Sequence, residues 1–182
     1  ITSPIASSFT AAVTVRIGGV DRLKAVDFRL RAGEVLGIIG VSGNGQAALA
    51  QLLSGTAAMA SGDLLLFGQP VDALSVKDVV TAGIGRIPED RNKDGAIGEM
   101  AIWENAILER LSSFSRHGLV DRQAGMAFAQ TIIDTFDVRG GSPASRIRLL
   151  SGGNMQKLIL GRNLIDRPRI LIAAQPARGL ED

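Results

Sequence analysis

The run Leu149-Leu150-Ser151-Gly152-Gly153-Asn154-Met155-Gln156-Lys157 carries the residue types best placed to do chemistry. Two glycines behind a serine open a helix-length segment. Backbone N–H groups and a hydroxyl then collect at its positive end, which suits an anion such as a terminal phosphate. A bare Ser-Gly-Gly in front of a helix otherwise serves only as a loop and a cap. Upstream, Gly40-Val41-Ser42-Gly43-Asn44-Gly45-Gln46-Ala47 joins an apolar run to a second helix-length segment. Its glycines permit a tight curl that points successive amides at a phosphate. Downstream, the apolar residues 169–174 run into Gln175-Pro176-Ala177-Arg178-Gly179-Leu180.

The upstream loop has the frame of a P-loop, G-x-x-x-x-G-K-[ST], without its charged chemistry. Gln46 stands where a lysine should reach the β- and γ-phosphates, and Ala47 stands where a hydroxyl should hold Mg²⁺. A neutral amide in place of an ammonium weakens the phosphate contact by on the order of 1–2 kcal/mol. A methyl group cannot ligate a hard cation at all. Gly43-Asn44-Gly45-Gln46-Ala47-Ala48 also fits G-x-G-x-x-A, and Asp63 lies 20 residues beyond Gly43. A dinucleotide-binding domain is therefore the rival reading of the same loop.

The glycine loop, the Ser-Gly-Gly helix and the Pro-x-x-Gly-Leu segment, in that order, resemble the nucleotide-binding domain of ABC transporters, with residues 150–153 matching the signature motif. The resemblance runs from about residue 13 to the last. It implies a P-loop NTPase (RecA-like) α/β core with N-terminal antiparallel strands and an inserted helical subdomain. ATP and Mg²⁺ are the implied cofactors. The nucleotide-binding positions would be Gly40, Ser42, Gly43, Asn44, Gly45, Gln46, Ala47 and Glu89. Glu89, in Ile87-Pro88-Glu89-Asp90-Arg91, takes the place of the family's metal-reading glutamine; it could ligate Mg²⁺ or pair with Arg91 or Arg86. Ser151, Gly152, Gly153 and Gln156 would face the γ-phosphate of a nucleotide bound by a partner domain.

Family members that hydrolyse ATP end the strand before Pro-x-x-Gly-Leu in Asp-Glu, where this chain has Ala174-Gln175. Neither side chain bears charge, so metal support and general-base catalysis are both missing there. No residue is a confident catalyst, and the expected hydrolytic capacity is weak or absent. Glu181 stands where the family has an aspartate. The region near Ile17 offers no ring to stack on adenine, and His117, the only histidine, reads as a surface residue. Gly-Asn-Gly-Gln, Ile-Pro-Glu-Asp-Arg, Ser-Gly-Gly-Asn and Gln-Pro-x-Arg-Gly-Leu look like the second, degenerate domain of tandem ATP-binding proteins in simple-sugar and nucleoside importers. The implied partners are another ABC nucleotide-binding domain, transmembrane permease subunits and, indirectly, a solute-binding protein. The implied location is cytoplasmic, peripheral at the inner face of the plasma membrane. Alternatives are a self-sufficient ABC-type ATPase and a structural module that never meets nucleotide.

The elements that must position these residues follow from periodicity. Residues 13–17 and 26–30 alternate as half-buried strands, and 35–39 read as a short buried strand. A helix over 46–54 turns Leu49, Leu52 and Leu53 inward and ends at Gly55. A strand at 63–67, a helix at 76–82 and a strand at 83–87 lead into a charged loop at 88–95. Residues 100–138 are mostly helical, broken near 112–118, with an amphipathic run at 121–136. The expected domains are a core of 1–95 with 150–182 and a helical lobe of 96–149. A groove near 89–109, including Met100, Ile102, Trp103 and Asn105, would receive a short helix of the membrane subunit.

With 182 residues, 46% hydrophobic, the chain is long enough to bury a core. Its 20 basic and 18 acidic residues are scattered, which argues against nucleic acid as a partner. The absence of cysteine excludes disulfides and thiolate metal sites within it. No run approaches the ~18 apolar residues of a membrane span, and the first residues lack a signal-peptide pattern. A start without methionine and a stop at Glu181-Asp182 read as a fragment truncated after the Walker B region.

Overall fold

Strict alternation builds the first element of the fold. β1 (Ser7–Ile17) turns Phe9, Ala11, Val13 and Val15 to one face, all at most 3% exposed. β2 (Val20–Arg31) pairs with it antiparallel, and β3 (Met59–Leu66) pairs with its other edge. β4 (Gln69–Pro70) completes a sheet of order β2-β1-β3-β4. The computed structural model describes residues 7–18, 20–41 and 43–176, and packing divides the chain into two units, Ile1–Ala82 and Gly83–Asp182. In the first unit α1 (Gln46–Leu53) buries Leu49, Leu52 and Leu53, as its spacing predicts. α2 (Val76–Thr81) starts in a capping box in which the Ser75 and Asp78 side chains each take the other's backbone N–H.

One expected strand is missing. Residues 35–39 form no strand, and Val35 and Ile39 are 97% and 98% exposed. Apolar composition does not make a strand by itself; ladder partners do, and among the described residues none pairs with this run.

The second unit begins with β5 (Ile84–Ile87), followed by a π-helical turn over Arg91–Gly95. α3 (Ile102–Ile107) and a 3₁₀ stretch (Leu108–Phe114) come next, then the small hairpin β6 (Ser115–Arg116) and β7 (Leu119–Val120). His117 sits at that hairpin's exposed tip, in agreement with the sequence reading. α4 (Arg122–Phe136) is capped by Asp121, whose carboxylate accepts the Ala124 N–H. After a short 3₁₀ turn (Ile147–Leu149), α5 (Gly152–Leu164) starts from the cap Ser151, and β8 (Ile170–Ala173) pairs in parallel with β5.

α3, α4 and α5 share one apolar core, in which Ile102, Ile132, Ile147 and Ile159 are fully buried. α5 approaches α4 closely at Gly161, where a Cβ would run into Ile132 and lie 2.9 Å from the Phe136 ring. Among the described residues no helix is long and apolar enough to cross a membrane.

The Gly161 contact sets two effects against each other. Alanine improves helix propensity by about 1 kcal/mol, whereas overpacking costs about 1–3 kcal/mol. Gly161→Ala is therefore expected to lower the urea midpoint of the chain. A raised midpoint would show that the α4–α5 interface is loose.

Candidate functional site

The glycine loop is positioned from below. Gly45 caps α1 with φ 99°, and a Cβ on it would lie 2.7 Å from the Arg22 carbonyl of β2, so only glycine fits. Gly43 is also left-handed, at φ 91°, and Asn44 N–H closes a turn on the Val41 carbonyl at 3.1 Å. The Gln46 amide folds back over Gly40, where a Cβ would collide with its Nε2. The amide thus occupies the loop itself, as a neutral donor. Ala47 is exposed and offers no oxygen. Ser42 lies outside the described residues.

The Ser-Gly-Gly element belongs to the second unit. Leu150, 6% exposed, anchors the chain in the core immediately before Ser151, which is exposed at the head of α5. The first N–H groups of a helix have no intrahelical acceptor, so those of Gly152 and Gly153 are available with the Ser151 hydroxyl. The Arg91 guanidinium packs against Gly152, where any Cβ would collide with it. Arg91, Arg148 and Gly152 form part of the wall of a cavity of about 370 Å³, with Leu150 and Met155 among its apolar lining.

Two positions along α5 are gripped by the loop that follows α4. The Arg139 backbone N–H donates to Asn154 Oδ1 at 2.7 Å, and Lys157 Nζ donates to the Asp137 carbonyl at 3.0 Å and to its carboxylate at 3.3 Å. Asn154 Nδ2 in turn donates to Ser151 Oγ at 2.9 Å. Hydrogen bonds from Arg139 and Lys157 hold the Asp137 carboxyl below its ordinary pKa. Sequence reading places Asn154 in the motif without a role of its own and does not single out Arg139 or Asp137. A left-handed turn at Asp137, φ 51°, ends α4 and opens that loop.

Gln156 requires a correction. It is 3% exposed and its Nε2 donates to the Pro176 carbonyl at 3.1 Å, so it holds the segment after β8 and does not face outward with Ser151. Its place on the helix explains this: Gln156 and Asn163, seven residues apart, share an inward face, and both are buried. Asn163 Oδ1 accepts the Arg86 N–H of β5 at 2.8 Å.

At the carboxyl ends of the paired strands, the Gln175 amide donates to Glu89 Oε1 at 3.0 Å. Gln175 sits in the left-handed region at φ 47°. Arg86 is engaged instead by Glu109, at 2.7 Å. Ala174 adds only a methyl group, and no cluster of metal-binding side chains occurs among the described residues. Of Glu89, Ala174 and Gln175 only Glu89 offers a carboxylate to a hard cation, and the Gln175 amide engages it, whereas the two glycine elements retain backbone donors for phosphate. Residues 177–182, including Glu181, lie outside the described residues.

The expected groove is only partly surface. Ile102 and Asn105 are fully buried, Asn105 accepting the Ile97 N–H at 2.8 Å and donating to the Ala101 carbonyl at 3.0 Å. Ile102 belongs to the apolar core, and Asn105 is buried because the chain at 97–101 needs internal partners for its turn. Met100 and Trp103 remain half-buried.

A nucleotide-binding cassette is the class this arrangement defines. The family model for ABC transporters matches residues 23–178, and the chain belongs to that family. It is 36% identical over 165 residues to the guanosine import ATP-binding protein NupO of Bacillus subtilis, covering 90% of this chain and 32% of that protein. It is 36% identical over 156 residues to the ribose import ATP-binding protein RbsA of Geobacillus kaustophilus, covering 86% of this chain and 32% of that protein. The chain spans about a third of the length of these curated relatives. The dimeric bacterial ABC transporter cassette MJ0796 shares the fold, with a TM-score of 0.75 over 95% of this chain and 76% of that one, at 22% identity.

The Asp137 grip carries a pH signature. A carboxyl with a lowered folded pKa contributes stability above its unfolded pKa and loses it as pH falls through the folded value. By carboxyl NMR, Asp137 should titrate below about 3.9, the ordinary value. Lys157→Ala and Arg139→Ala should each move that midpoint upward; an unmoved midpoint would mean that the bonds do not persist in solution.

Proposed function

We propose that this domain is one half of the ATP-binding component of an ABC importer for simple sugars or nucleosides, and that it completes a partner domain's nucleotide site instead of running its own. The supporting contrast lies within the chain. Ser151, Gly152 and Gly153 present a hydroxyl and free amides at the exposed head of a firmly held helix. Gln46, Ala47, Ala174 and Gln175 provide no charge where phosphate, metal and water need it.

In this reading the γ-phosphate of ATP on the partner's P-loop meets the Ser151 head. The magnesium ion is held there by the partner's residues. Residues 1–95 with 150–182 act as the core and 96–149 as the helical lobe. The sugar and nucleoside importers among the relatives support the transport assignment, and the degenerate positions support the unequal pair. The permease contacts the surface around the half-buried Met100 and Trp103. Such a component works at the cytoplasmic face of the membrane, and the transported molecule is selected by its membrane and solute-binding partners.

The purified chain is expected to show no Mg-dependent ATP turnover above background. In the assembled ATP-binding protein, Ser151→Arg should reduce turnover by about tenfold or more, since it fills the anion site and removes a charge-assisted bond. Robust hydrolysis by the chain alone would favour a self-sufficient ATPase. Undiminished turnover in Ser151→Arg would favour a module that never meets nucleotide.

A further inference from the structure

We infer that Asn154 is a positioning residue that makes Ser151 an obligate hydrogen-bond donor toward the phosphate, an inference that rests on the trans-site reading above. The argument begins one contact away. The Arg139 backbone N–H lies 2.7 Å from the Asn154 side chain and can only donate, so the amide must present its oxygen there. The NH₂ group is thereby turned to Ser151 Oγ, at 2.9 Å, and the Asn154 backbone N–H approaches the same oxygen at 3.4 Å.

A serine hydroxyl has one hydrogen to give and two lone pairs to receive with. Here both receiving positions face donors from Asn154. The remaining hydrogen must point away from the helix, toward the exposed side where Ser151 stands. A hydroxyl free to rotate can meet water as donor or acceptor; this one is fixed as a donor before any anion arrives. Preorganised donors stabilise developing negative charge without reorganisation when the reaction occurs. The chain of cause runs from the left-handed turn at Asp137 through Arg139 and Asn154 to a single O–H bond.

Two variants separate orientation from folding. Asn154→Ala removes the holder. Asn154→Asp keeps an acceptor for Arg139 but presents Ser151 with an oxygen, which draws the hydroxyl hydrogen inward. In the assembled ATP-binding protein with saturating MgATP, Ser151→Ala and Asn154→Ala should each lower turnover by about tenfold, the scale of one charge-assisted bond. The double variant should fall no further than Ser151→Ala, because Asn154 acts through that hydroxyl. Asn154→Asp should match Asn154→Ala in turnover while the Arg139 amide keeps wild-type hydrogen-exchange protection in the 182-residue chain.

Additive losses in the double variant, or wild-type turnover in Asn154→Asp, would overturn the inference and leave the trans-site reading intact. A harmless Ser151→Ala would overturn the trans-site reading itself. The contact is tested apart from nucleotide in the chain alone. There, Ser151→Ala should shift the Asn154 side-chain amide resonance upfield, and an unshifted resonance would also overturn the inference.

Discussion

An apolar core fixes which face of a helix points inward but resists sliding along the axis only weakly; directional bonds from buried polar groups supply the register. α5 is held in this way. The buried polar side chains among the described residues are Asn105, Gln156, Arg162 and Asn163, and three of them lie on α5. The fourth is tied to it, since the Asn105 carbonyl accepts from Arg162 at 3.1 Å. Gln156 faces the segment after β8, Arg162 faces α3 and Asn163 faces β5. A shift of α5 would leave these groups unpaired in a low-dielectric interior, each at about 1–3 kcal/mol. The head of the helix inherits its position from this tail.

Arg162 shows how closely the arrangement is balanced. Burial pulls its guanidinium below the ordinary value, Glu109 opposes this, and the charges of Arg86 and Arg110 add to the lowering. The cluster works because Glu109 serves two arginines, at 2.7 and 3.6 Å, while Arg110 pairs with Asp166. A buried ionic group of this kind is weak evidence for stability and better evidence for a specified geometry. That accords with a helix held at several points along its length.

Much of this was legible in the residues. Period-two alternation at 13–17 gave the second half of β1, and the Leu49, Leu52 and Leu53 spacing gave α1, because both patterns are local. The Ser-Gly-Gly head was readable for the same reason: cap, glycines and helix are contiguous. Residues 35–39 misled because their apolar run says nothing of which strand would pair with them. Gln156 misled because motif spacing placed it beside Ser151, while helix geometry turned it inward with Asn163. The Asn154 contact was invisible, since its orientation is dictated by a backbone amide 15 residues away in sequence.

The bond between Gln175 and Glu89 also limits which side chains the two positions can hold together. A carboxylate at 175 would stand against the one already at 89, and like charges at that separation repel. A charge at 175 thus calls for a neutral partner at 89, so the two positions are expected to change as a pair.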